Sequence, residues 1–154
     1  MKTTAPIIAV IGGSECSQAD YAAAEAVGRL IAERGGIVIC GGLFGVMEAA
    51  CKGACEAGGL TIGILPGNHV EDANPYVKIP VATGMGIGRN IVIIRSAAAV
   101  IAVDGRYGTL TEIAYALHLN KPVFGLNSWN EVPGVVAVET PEEAVERVFA
   151  ALNQ

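Results

Sequence analysis

Apolar positions along this chain follow two alternating patterns. Short unbroken apolar runs, closed by glycine or proline, alternate with longer stretches in which apolar residues recur every three or four positions. The first pattern predicts strands buried on both faces, the second amphipathic helices. Ile7 to Ile11 is such a run, closed by Gly12-Gly13. Ser17 then stands as the N-cap of a helix whose Ala24, Val27, Leu30 and Ile31 share one face, with Arg34 in its last turn and Gly35 as its stop. Ile37 to Cys40 ends at Gly41-Gly42, and a small-residue helix follows from about Gly45 to Ala57. Thr61 to Leu65 ends at Pro66-Gly67. Asn74-Pro75 marks a turn, Val77 to Val81 reads as a short strand or an extended edge, and Gly86 to Ser96 is helical. Ala98 to Val103 is a strand, followed by the turn Gly105-Arg106-Tyr107-Gly108-Thr109 and a helix to about Leu119. Pro122 to Leu126 and Val135 to Val138 complete the strands. Thr140 as N-cap, Pro141 at the first helical position and Glu143 as the second half of a capping box open the last helix.

Strands of this kind separated by helices predict an α/β fold: a single Rossmann-like domain over residues 1–154, with a doubly wound parallel sheet and helices on both faces. Ligands of such sheets bind beyond the carboxyl ends of the strands, and here those ends carry glycine turns at Gly12-Gly13, Gly41-Gly42, Gly67 and Gly105. Composition agrees with a large interior, 52% hydrophobic against 16% charged. No apolar run nears the ~20 residues that span a bilayer, and the amino terminus lacks a signal peptide's apolar stretch. A cytoplasmic protein without a membrane partner is the expectation. The net charge of −5, with no basic run, argues against a nucleic-acid polymer as partner. Cys16, Cys40, Cys51 and Cys55 form no metal pattern and have no histidine beside them, so no metal site is assigned; buried thiols in a reducing compartment account for them.

Gly41-Gly42-Leu43-Phe44-Gly45 and Gly105 to Thr109 share one design, strand to glycine turn to helix. Glycine lets backbone N–H groups approach an anion, and the following helix adds unpaired N–H groups and a positive dipole end. Tight βα turns are the alternative use of any one of these glycines. A dinucleotide fingerprint is excluded, since Gly12-Gly13-Ser14-Glu15-Cys16-Ser17 lacks its spacing, and no P-loop motif occurs.

Gly-Gly-x-x-Gly-x-Met at Gly41 to Met47 and Gly-x-x-Gly-Thr-x-x-Glu at Gly105 to Glu112 resemble the LOG ("lonely guy") phosphoribohydrolases, a group also labelled lysine decarboxylase. The short length and the Gly84-Met85-Gly86-Ile87-Gly88-Arg89-Asn90 segment are more similar to a compact DprA/Smf-related branch that includes molybdenum cofactor carrier proteins. The resemblance implies a phosphorylated nucleotide or pterin ligand, a bound molybdenum cofactor among the candidates, with no cofactor required. The alternative it implies is hydrolysis of a nucleoside 5′-monophosphate at the N-glycosidic bond, with Arg89 and Glu112 as the catalytic pair. Ligand contacts are then expected from Gly12, Gly13, Ser14, Gly41, Gly42, Gly45, Arg89, Gly105, Arg106, Gly108 and Thr109. Asp104, Arg106 and Asn90 depart from the proline, glycine and lysine of the resembled motif. Decarboxylation finds no support, because none of Lys2, Lys52, Lys78 and Lys121 sits at a strand end with the partners a pyridoxal phosphate needs.

Several residues carry a second reading. Thr109-x-x-Glu112 also spells a capping box. Arg89 fits an anion-facing cation or a surface ion pair, and Asp104 and Arg106 fit a mutual pair. Trp129, in the polar turn Asn127-Ser128-Trp129-Asn130, is compatible with a subunit contact. The small-residue face Ala49, Ala50, Gly53, Ala54 and Ala57 invites close packing, which together with the resemblance predicts a homodimer or homotetramer.

Overall fold

Successive residues of the central strand β1 (Ile7–Gly12) point into two different cores, which is why its sequence is apolar throughout. Ile8 and Val10 join one core, Ala9 and Ile11 the other. The computed structural model describes residues 1–154. Around β1 lie β2 (Ile37–Cys40), β3 (Thr61–Leu65), β4 (Ile79–Ala82), β5 (Ala99–Val103), β6 (Val123–Leu126) and β7 (Val135–Val138). They form one sheet in the order β4-β3-β2-β1-β5-β6-β7 with every neighbouring pair parallel. The chain runs outward from β1 in one direction as far as β4. It then crosses to β5 on the other side of β1, so the topological switch falls between β1 and β5.

Helices α1 (Gln18–Glu33), α2 (Val46–Glu56) and α5 (Pro141–Leu152) contribute to one core; α3 (Arg89–Ser96) and α4 (Tyr107–His118) contribute to the other. Local signals set several helix ends as expected. Ser17 Oγ accepts from the Asp20 N–H at 3.1 Å, and Thr140 Oγ1 accepts from the Glu143 N–H at 3.1 Å. The Glu143 carboxylate accepts from the Glu139 N–H, one residue before the cap.

Three expectations change. The stretch Val77 to Val81 resolves as edge strand β4, displaced to Ile79–Ala82 and largely solvent-exposed. The helix expected from Gly86 begins as a 3-10 turn over Gly86–Gly88, and α3 starts only at Arg89; Gly86 has φ 58°, outside the helical region. The small-residue face of α2 is spent inside the chain. A Cβ on Gly28 of α1 would fall on the Ala50 carbonyl oxygen, and one on Gly53 of α2 on the Glu25 carbonyl oxygen. The two backbones touch at these glycines, so Ala49, Ala50, Gly53 and Ala54 pack within the chain, while Ala57 at the end of the helix is exposed.

Candidate anion-binding site at the β1–β5 switch

The carboxyl ends of β1, β2 and β5 surround an open cavity of about 640 Å³. Each wall follows from a local backbone demand. After β1, Gly12 and Gly13 lead into Ser14, Glu15, Cys16 and Ser17; a Cβ on Gly12 would collide with Val46 and the Val103 carbonyl oxygen. After β2, Gly41, Leu43 and Met47 form the second wall. After β5, Asp104, Gly105, Arg106, Gly108 and Thr109 form the third, with Glu112 from the second turn of α4 behind them, Arg89 and Asn90 entering from the start of α3 and Ile87 from the 3-10 turn before it.

Of the residues expected at the site, Gly12, Gly13, Ser14, Gly41, Arg89, Gly105, Arg106, Gly108, Thr109 and Glu112 line this one cavity. Gly42 and Gly45 do not. Gly42 (φ 78°) faces Leu65 and Gly63, and Gly45 (φ 63°) is pressed against the Gly13 carbonyl and Ser14. Both serve the shape of the turn. The two glycine turns therefore differ in use. At α2 the first helical N–H, that of Val46, is taken by the Gly13 carbonyl at 3.0 Å, and the Gly42 and Leu43 carbonyls accept from Asn74. At α4 the Tyr107, Gly108 and Thr109 N–H groups lie in the first turn and have no intrahelical acceptor. The start of α4 thus keeps three unpaired N–H groups, against the two of Met47 and Glu48 at α2.

The capping-box reading of Thr109 and Glu112 is not what the chain does. Helix α4 starts at Tyr107 with Arg106 as N-cap, so Thr109 is already inside the helix and both residues are buried. Glu112 accepts no hydrogen bond. Its burial pushes the carboxyl up to about 8, against a smaller opposing pull from the Arg89 charge. The carboxyl is thus largely protonated at neutral pH, able to donate one hydrogen bond as well as accept.

Arg89 is not in a surface ion pair. Its Nε donates to the Ile64 carbonyl at 2.9 Å, Nη2 to the Gly41 carbonyl at 3.4 Å, and Nη1 to the Asn90 side-chain oxygen. The ion pairs of the chain, Arg29–Glu33, Lys52–Glu25 and Arg147–Glu143, all lie elsewhere. A guanidinium fixed by neutral carbonyls keeps its charge uncompensated, which suits it to an incoming anion. Asn90, in place of the resembled motif's lysine, is buried; its amide also donates to Thr111 Oγ1 at 3.4 Å. Asp104 and Arg106 do not pair with each other, and the Arg106 side chain is exposed on the cavity rim.

Lining residues outside the expected contacts include Glu15, Cys16, Ser17, Leu43, Met47 and Ile87, together with Val10 and Ile11 of β1. Ser17 and Cys16 were legible only as a helix cap and a small hydrophobe. Cys40 and Cys51 meet with their sulfurs 3.4 Å apart, both buried and clustered with Met47.

The SLOG cluster4 family model matches residues 5–151. The chain belongs to the SLOG cluster4 family. An uncharacterized protein of Archaeoglobus fulgidus is 48% identical to this SLOG protein over 138 residues, 90% of this chain and 91% of the relative. Among solved structures, the molybdenum cofactor binding protein of Rippkaea orientalis superposes with a TM-score of 0.92 at 34% identity, covering 98% of this chain and 99% of that one. The molybdenum cofactor carrier protein of Chlamydomonas reinhardtii gives 0.90 at 34% identity, over 97% and 99%. DNA processing protein A of Helicobacter pylori shares the fold alone, with a TM-score of 0.75 at 17% identity over 95% of this chain and 81% of that one. That structure describes a single-stranded DNA binding mode. The exclusion of a nucleic-acid polymer from the net charge of −5 therefore does not stand. Net charge is a sum over the whole surface, whereas a polymer meets only one local patch of it. No helix is long and apolar enough to cross a membrane.

Proposed function

We propose that this chain is a binding or carrier protein for the molybdenum cofactor, holding a phosphorylated pterin in the cavity at the β1–β5 switch. One observation carries the reading: Gly12, Gly13 and Ser14, Gly105 and Arg106, Gly108 and Thr109 in the first turn of α4, and an Arg89 bonded only to neutral oxygens all line the same 640 Å³ space. Amides at a helix start and a cation without a carboxylate partner favour a phosphate. The walls from Leu43, Met47 and Ile87 supply apolar surface for a ring system. The 34% identity to two carriers over nearly the full chain supports the same ligand class. Anaerobic calorimetric titration with the molybdenum cofactor tests it, with AMP as comparison. Saturable one-site binding of the cofactor is expected, and heat from neither ligand would end the reading.

A second reading, hydrolysis of a nucleoside 5′-monophosphate, is favoured by one feature. Glu112, buried and protonated near neutrality beside Arg89, has the character of a general acid at a glycosidic bond. Release of free base from AMP by the wild-type protein, lost in Glu112→Gln, would support it. No base released by wild type refutes it.

A further inference from the structure

The connection between β6 and β7 is the part of the molecule with the most backbone outliers. Asn127 and Trp129 have φ 53° and 47°, a region that bulky side chains rarely enter, and Asp104, opposite them after β5, has φ 50°. Such outliers persist only where surrounding structure holds them. Here the two sets hold each other. Ser128, buried in the turn, donates its hydroxyl to the Asp104 carbonyl. Trp129 Nε1 donates to the Arg106 carbonyl at 3.2 Å, and its ring lies 6.2 Å from that of Tyr107. With its amide turned to donate, Asn130 reaches the Ser128 and Gly125 carbonyls at 3.0 and 3.1 Å, tying the turn to β6.

We infer that Ser128 and Trp129 are positioning residues for ligand binding, which fix the Asp104–Tyr107 loop so that the α4 amides and Arg106 meet the bound phosphate. The inference rests on the cofactor-binding reading and adds to it a second layer outside the cavity, since neither residue lines it. It also explains a departure of the sequence. A proline, as in the resembled motif, holds φ near −65° and stiffens its own loop. Asp104 at φ 50° cannot be replaced by proline without rebuilding the turn, so this chain takes its rigidity from a neighbouring connection instead. Both bonds end on loop carbonyls, leaving the N–H groups of the same peptides free for a ligand.

The test uses the full chain and Trp129→Phe, which keeps a ring against Tyr107 and loses the N–H, together with Ser128→Ala. In the ligand-free proteins, hydrogen exchange at residues 104–109 is expected to accelerate in both variants, while the amides of β1 and β5 stay protected as in wild type. Calorimetry with the molybdenum cofactor is expected to show about fivefold weaker binding for each variant, the size of one lost hydrogen bond. Because Trp129 is the sole tryptophan, its emission in wild type also reports on the loop, and cofactor addition is expected to change it. In an Asp104→Gly background, where the left-handed residue needs no holding, the effect of Ser128→Ala on exchange is expected to shrink. Unchanged exchange at 104–109 in both variants would overturn the inference by itself. So would wild-type affinity in both variants; absence of binding by wild type would instead bring down the cofactor reading on which it rests.

Discussion

Replacing Glu112 by Gln makes the burial of this carboxyl measurable. The wild-type group is almost fully buried, accepts no hydrogen bond and is raised from an ordinary value of 4.5 to about 8, by burial first and against the Arg89 charge. An acid whose folded value lies above its unfolded value favours the folded state fully below the unfolded value. That contribution is lost as pH rises from there to the folded value, because the unfolded chain ionises first. At 1.36 kcal/mol per unit, the loss amounts to about 3 kcal/mol at pH 7 and about 5 kcal/mol above pH 8. Gln has the shape of the protonated acid and does not ionise, so the variant escapes this loss. Urea unfolding at pH 4, 7 and 8.5 is expected to give similar stabilities at pH 4 and a variant increasingly more stable than wild type at higher pH. These differences are large beside a typical domain stability of roughly 5–15 kcal/mol. A stability difference that does not change with pH would refute the argument that Glu112 is held neutral.

Three further outcomes follow from the geometry. Lys121 donates to the Ile94, Arg95 and Ala97 carbonyls at 2.6, 3.0 and 2.7 Å, closing the end of α3, so Lys121→Met is expected to cost about 2–3 kcal/mol in urea unfolding. Gly28→Ala would place a methyl on the Ala50 carbonyl; a loss of about 2 kcal/mol is expected despite the better helix propensity of alanine, and a neutral or stabilising result would contradict the α1–α2 contact. Arg89→Met is expected to weaken binding of the molybdenum cofactor about 10- to 100-fold, and Arg89→Lys to recover little of it, because an ammonium cannot reach the Ile64 and Gly41 carbonyls in the same fork. Calorimetry reads both variants.

What could be seen in the sequence was whatever local chemistry decides. The Ser17 and Thr140 caps, the buried strands and the glycine turns at the strand ends needed no tertiary information. Arg89 and Glu112 are paired in the sequence only through the resemblance to the LOG motif, and both line one cavity. The rest depended on partners that sequence spacing does not reveal. Thr109 and Glu112 have the spacing of a capping box, but the helix starts at Tyr107 and places them in its interior. The Gly41 and Gly105 turns look alike until Asn74 and the Gly13 carbonyl, distant in sequence, occupy the first. Strand β4 was ambiguous because an edge strand of four residues, mostly exposed, carries no unbroken apolar run. Lys121 and Trp129 act through carbonyls of other segments and leave no motif.

A crystal structure of the protein with the molybdenum cofactor bound tests the central claim most directly. The account predicts the phosphate within hydrogen-bonding distance of the Gly108 and Thr109 amides, with Arg89 and Glu112 facing the ligand. A cofactor seated outside the β1–β5 cavity, or held with its phosphate away from the α4 amides, would contradict it.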